Sequence, residues 1–131
     1  MAGIAPGIRL ALLADGPVAA VVSTRIYFTM LPQEPTYPAI TLELISGNPG
    51  NTLNSVPTLV WSRVRANCWG RTFAAANALA LLVEAALNGK RITVTGLVIC
   101  SVVADGMQSL YEPAVEAHFL SQDFRIWHKP A

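Results

Sequence analysis

The sequence predicts a single α+β domain: a mainly antiparallel sheet packed against one long helix and a short N-terminal helix. Three observations carry that expectation. Residues 37–46 and 58–69 alternate apolar and polar side chains with the two-residue period of half-buried strands. Residues 73–88 are rich in alanine and leucine, follow a threonine suited to capping, and stop before Gly89. Helical and extended stretches follow in the order helix–strands–helix–strands, which does not make the repeated βαβ units of a parallel doubly wound sheet.

Residues 7–14 are expected to start the fold as a short helix, with Ile8 and Leu12 on one side and Leu10 and Leu13 widening its apolar surface. "ADGP" at 14–17 breaks that pattern, and Val18, Val21 and Val22 supply another helical turn. Arg25–Met30 is a strand by composition. Pro32, Pro35 and Pro38 then remove three backbone donors and shape a connection that discourages edge pairing. In the second strand, Tyr37–Ser46, Ile40, Leu42 and Leu44 share one face, opposite Ala39, Thr41, Glu43 and Ile45. "GNPGNTLNSVP" at 47–57 is expected to be a long exposed loop, with Asn48, Asn51 and Asn54 available to a partner.

Thr58–Trp69 is the clearest strand. Val60, Val64, Ala66 and Cys68 turn inward, with Ser62 breaking the run, and Trp61, Arg63, Arg65, Asn67 and Trp69 share the other face. Pairing with the second strand would bring Glu43 towards Arg63 or Arg65. Aromatic anchors at 61 and 69 with arginines between them form a candidate protein-contact face; a solvated sheet face with one modest ion pair is the plainer alternative. Thr72 caps the long helix, whose packing face is Phe73, Ala76, Ala80, Val83 and Leu87. Leu79, Leu81 and Leu82 widen it enough to meet both the sheet and either the first helix or a neighbouring subunit, so the first five are candidates for lateral packing. Ile92–Thr95 is a short extended piece and Leu97–Val103 a strand closed by the turn pair Asp105-Gly106. "MQSLYEP" is an edge or irregular connection, and Ala114–Trp127 is the last extended region, bent near Ser121–Asp123.

Composition narrows the function. The chain has 131 residues, 53% of them hydrophobic and only 13% charged, so it can bury a sizeable core but covers itself thinly with charge. Partner surfaces are favoured. A net charge of +1 gives no basic surface for nucleic acid; Arg63, Arg65 and Arg71 beside Trp61 and Trp69 make only a small local cluster. Cys68, Cys100, His118 and His128 have no zinc spacing; the cysteines read as two reduced thiols, His118 as a sheet residue and His128 as either that or part of a disordered chain end, and no cofactor is implied. No apolar run is long enough to span a bilayer, and the N-terminal stretch carries only Arg9 as a base, which argues against a signal peptide. Neither glycine motif for nucleotides is present. Ser101 with His118 and Asp123, or Glu112 with Glu116, offers parts for catalysis without a constellation, so the chain is not expected to be an enzyme.

Four stretches in order resemble the tail-completion or tail-terminator family of long-tailed bacteriophages and related prophage particles: "LALLADGPVAAVVSTRIYF" (10–28), "MLPQEPTYPAITLELIS" (30–46), "RVRANCWGRTFAAANALALLVEAAL" (63–87) and "LYEPAVEAHFLSQDFRIWH" (110–128). Arg25-Ile26-Tyr27 followed by Leu31-Pro32 and Pro38-Ala39-Ile40 is the most specific local match, supported by the Val64–Trp69 joint. The resemblance implies a noncatalytic virion protein that forms a homo-oligomeric ring, commonly a hexamer, at the head-proximal end of the tail tube. Such a ring stops tube growth, meets the tail-tube protein and the head–tail connector, and lets DNA through its channel without specific recognition. It would assemble in the host cytoplasm and reside at the head–tail junction. Another neck or connector protein of related fold, or far less favourably a small enzyme using a late His/Asp/Glu pocket, are the alternatives.

Overall fold

A computed structural model of the chain describes residues 3–48, 60–94 and 96–130. Two helices open it, α1 (Ile4–Ala14) and α2 (Gly16–Val22), bent by 94° about Asp15. The bend follows from the "ADGP" stretch: Asp15 leaves helical geometry and its carboxylate accepts the Val18 amide at 3.2 Å, while Pro17 occupies the first turn of α2. No single helix among the described residues is long and apolar enough to cross a membrane.

The strands are β1 (Ile26–Phe28), β2 (Ala39–Asn48), β3 (Val60–Gly70), β4 (Ile92–Val94), β5 (Leu97–Glu112) and β6 (Ala117–Pro130), with α3 (Phe73–Leu87) between β3 and β4. They form one six-stranded sheet in the order β1-β2-β3-β6-β5-β4. Every pairing is antiparallel except β1 with β2, which is parallel. The proline-rich segment 29–38 is therefore a parallel connection rather than a hairpin. It reverses with Thr29 at φ 70° and Glu34 at φ 52°, and Arg25 holds its end by donating Nε to the Pro38 carbonyl at 2.9 Å.

One face of the sheet carries all three helices. Ile40 and Leu42 of β2, Val64, Ala66 and Cys68 of β3, Leu120, Phe124 and Ile126 of β6, and Leu97, Ile99 and Val102 of β5 join Ile8, Leu12, Val18, Leu79 and Val83 in one buried cluster. Val64, Ala66 and Cys68 of the inward set predicted for β3 are buried as expected, while Val60 at the strand's start is half-buried and outside the cluster. Thr72 caps α3 by accepting the Ala75 amide at 3.1 Å. Gln122, the polar member of the inward β6 row, is 2% exposed and donates Nε2 to the Ala80 carbonyl at 2.7 Å, tying sheet to helix. Gly70 permits the sharp turn into α3: a Cβ there would stand 2.7 Å from the Ala76 amide nitrogen.

Several expectations differ from the structure. Asp105-Gly106 does not close a hairpin. Gly106 takes φ +116° at a register shift between Ala104 and Met107, and β5 continues to Glu112, so the glycine's conformational freedom serves a bulge. "MQSLYE" is accordingly strand, and the reversal lies at 113–116, with Glu116 at φ 49°. β6 keeps its register with β3 through Ser121–Asp123, and the irregularity at that level lies in β5, whose bulge falls opposite Asp123. Leu44 shares the face of Ile40 and Leu42 but is 55% exposed, because β2 runs past the helices at that point. β2 also extends through Asn48, and residues 49–59, with Asn51 and Asn54 of the expected loop, lie outside the described residues.

Candidate functional site

The sheet face without helices carries the residues that patterning singled out. Trp61, Arg63, Arg65, Asn67 and Trp69 of β3 stand opposite Trp127, Arg125, Asp123, Ser121 and Phe119 of β6. Both strands therefore read aromatic, charged, charged, polar, aromatic, and antiparallel pairing brings like positions together.

The centre is a chain of ion pairs. Asp123 receives Arg65 Nε on Oδ1 at 2.9 Å and Arg63 Nε on Oδ2 at 3.2 Å. Arg63 Nη2 continues to Asp105 Oδ2 at 2.9 Å, which Arg125 Nη2 approaches at 3.5 Å. Burial pushes the Asp123 carboxyl up, but the hydrogen bonds and charges of Arg65 and Arg63 outweigh it and hold the pKa below the usual carboxylate value. The Asp123 hydrogen bond raises the Arg65 pKa in turn. Glu43 pairs in register with Arg65, as expected, but its carboxylate accepts Asn67 Nδ2 at 2.8 Å and reaches Arg65 only through its charge. The partner of both arginines is Asp123, because β6 lies beside β3 at the same level and Asp123 is short enough to sit between the two guanidinium groups.

Aromatic pairs close both ends. Trp61 and Trp127 have centroids 6.4 Å apart at 55°, with the Arg125 guanidinium 5.4 Å from the Trp61 ring centre. Trp69 stacks on Phe119 at 4.2 Å and 25°, and donates Nε1 to Thr41 Oγ1 at 3.1 Å. Arg71, grouped with Arg63 and Arg65 in the nucleic-acid reading, lies over the Tyr37 ring at 5.3 Å instead. Beside the ion pairs, Arg65, Asp123, Ser121, Gly106, Met107 and Gln108 line an open cleft of about 230 Å³ at the β5 bulge.

The five residues proposed for lateral packing divide. Ala76, Ala80, Val83 and Leu87 are wholly buried in the chain's own core, whereas Phe73 is 50% exposed. They separate because β3 and β6 take up the alanine-lined side of α3; the apolar surface left outward on the helix is Phe73 and Leu81. Asn48 ends β2, where its backbone pairs with Trp61.

The catalytic candidates lie apart. Ser101 pairs with Trp127 and His118 with Tyr111, nine positions along β6, about 30 Å at ~3.3 Å per residue. His118 packs edge-on against Tyr111 at 4.9 Å, and Asp123 is engaged by the arginines. Glu112 accepts the Ala114 amide, and Glu116 sits in the turn. Cys68 and Cys100 are both free, and burial raises the Cys68 thiol far above its ordinary value. His128 meets Ser62 Oγ at 2.9 Å, and burial lowers its pKa. Among the described residues no three His, Cys, Asp or Glu side chains converge on a metal-sized site.

Asp105, Asp123, Arg125, Phe119 and Trp127 were not singled out as contact residues from the sequence. Their signal was present: 119–127 alternates with the same order of side-chain types as 61–69, reversed.

The model of the family described as tail completion protein gp17 matches residues 6–129. A solved chain from the virion of a native gene transfer agent particle shares the fold at a TM-score of 0.70 and 17% identity, over 99% of this chain and 100% of that one. Among curated proteins no sequence matches. The chain belongs to the tail completion protein gp17 family and is a structural protein of phage-type tail assembly.

Proposed function

We propose that the protein forms a ring at the head-proximal end of the tail tube, ends tube polymerisation there and presents a surface to which the head connector joins. The observation that carries this reading is the match of a tail-completion family over residues 6–129. The architecture supports it. All three helices cover one sheet face, and the other keeps two aromatic pairs joined by a preset Arg–Asp chain. Ion pairs already made within the chain hold charged groups in fixed positions, which costs a partner less ordering entropy than recruiting loose side chains. Trp61, Arg63, Arg65 and Trp69 are the proposed contact face, towards the tube end or the connector. DNA would pass through the ring without base recognition.

The test is mass-resolved size analysis of the purified chain, alone and mixed with the tail-tube protein of the same particle, followed by imaging. Rings, or tubes capped at one end, are the expected result. A chain that stays monomeric and also ignores tube ends would sink the terminator reading and move a different neck component ahead of it.

A further inference from the structure

Both nominal edges of the sheet are blunted. β1 and β4 are three-residue strands, and β1 turns back on itself locally, with the Ile26 amide on the Thr24 carbonyl and the Met30 amide on the Phe28 carbonyl. Short edge strands of this kind discourage unwanted pairing. They do not, however, reach along the long strands behind them. β4 pairs only Leu97–Ile99 of β5, and the end of α3 covers the next stretch through the Gly89 amide on Val102 and Asn88 Oδ1 on the Ala104 amide. Beyond Ala104, no described residue pairs with the outer edge of β5. On the other side β1 pairs only Ile40–Leu42 of β2, with Thr29 reaching Leu42, so the outer edge from Leu44 onward is bare among the described residues.

Alternation identifies the free groups. Val102 and Ala104 turn their backbone groups outward, and the one-residue bulge inverts the parity, so Met107, Ser109 and Tyr111 point outward beyond it. Ile40 and Leu42 face β1; Leu44 continues outward and, past the shift between Leu44 and Ser46, so does Gly47. Neither segment has the lysine, proline or inward charge that protects an edge. Instead Leu44, Met107 and Tyr111 are 55%, 46% and 51% exposed, and all three lie on the helix-bearing side of the sheet.

We propose that copies of this chain join edge to edge, Met107–Tyr111 of β5 in one copy pairing antiparallel with Leu44–Gly47 of β2 in the next. It rests on the ring reading above and names its lateral joint. Two different edges of one sheet make a head-to-tail contact, the kind that closes into rings. Strand directions agree, since β2 and β5 run oppositely within the sheet. The stagger agrees as well. The two bare segments sit about five residues apart along β3, and four strands separate equivalent edges in successive copies. At ~3.3 Å per residue and ~4.8 Å per strand the strands would tilt about 40° from the ring axis, within the usual range for closed sheets. The joint would cover Leu44, Met107 and Tyr111 together.

The experiment pairs a cross-link with an edge block. Leu44→Cys and Ser109→Cys are combined in a Cys100→Ser background and treated with a short thiol cross-linker, with each single cysteine variant as control, alone and on tail tubes. Separately, Ser109→Pro removes one outward amide. The expected result is a covalent ladder ending at the ring, given only by the double variant, and at least tenfold weaker assembly of a folded Ser109→Pro chain. Rings that form without cross-linking, and persist in Ser109→Pro, overturn the edge joint and leave the ring reading standing. Cross-linking by Ser109→Cys alone indicates a two-fold β5–β5 contact and overturns the head-to-tail arrangement. A chain monomeric under every condition, including on tubes, removes both readings.

Discussion

Replacing Asp123 with asparagine isolates the charge that organises the open sheet face. The side chain is 17% exposed and accepts Arg65 Nε on Oδ1 at 2.9 Å and Arg63 Nε on Oδ2 at 3.2 Å, with Arg65 Nη2 reaching Oδ2 at 3.5 Å; the two arginines are 39% and 31% exposed. Solvent screening limits an exposed ion pair to roughly 0–1 kcal/mol; partial burial and two charge-assisted hydrogen bonds place the sum at about 1–2 kcal/mol. For a domain of this size that corresponds to a fall in melting temperature of roughly 4–8 °C. The pH dependence gives the sharper test. Because the folded pKa of Asp123 is depressed, its contribution is fully present above the unfolded value, about 3.9, and is lost as pH falls through the folded value. Urea unfolding of both chains should therefore show the full difference at pH 7, shrinking below about pH 4. A penalty under about 0.3 kcal/mol at pH 7, or one that does not change between pH 7 and pH 3, would refute the argument that the carboxylate charge holds these arginines.

Trp61→Ala and Arg65→Ala should each weaken association with the tube end about tenfold or more while shifting unfolding by no more than about 2 kcal/mol; titration against tubes with parallel denaturation separates the two effects, and normal assembly by both variants removes this face from the interface. Leu79→Ala, at 1% exposure, should cost about 2–5 kcal/mol, whereas Leu81→Ala on the outward side of the same helix should stay within about 0.5 kcal/mol. Equal losses in urea melts would show that the inward face of α3 has been misassigned. Gly106→Ala places a Cβ at φ +116° with nothing to clash against, so it should destabilise by roughly 1–3 kcal/mol through backbone strain alone. An unchanged melting curve would mean that the bulge relaxes at no cost.

Much of this protein was legible because local rules and tertiary environment agree. The β3 alternation separated Val64, Ala66 and Cys68 from Trp61, Arg63, Arg65 and Trp69, and the sheet keeps that division. Thr72 and Gly89 bracketed α3, since capping and positive φ are requirements of the helix ends themselves. The α+β class followed from element order, and the ordered segments from residue 10 to residue 128 pointed to the family whose model matches 6–129.

Other features depended on neighbours distant in sequence. Asp105-Gly106 signals positive φ whether the chain turns or bulges; β5 runs on because β6 is there to pair with it. The arginines were matched to Glu43 because β2 was their visible neighbour, but β6 occupies the other side of β3 and brings Asp123 closer. The helix residues at 76, 80, 83 and 87 were suitable for packing against anything apolar, and only the position of the sheet turned them inward and left Phe73 outside. Side-chain periodicity determines which residues share a face. What that face meets is decided by strand order, a long-range property set by pairing and burial across the whole chain.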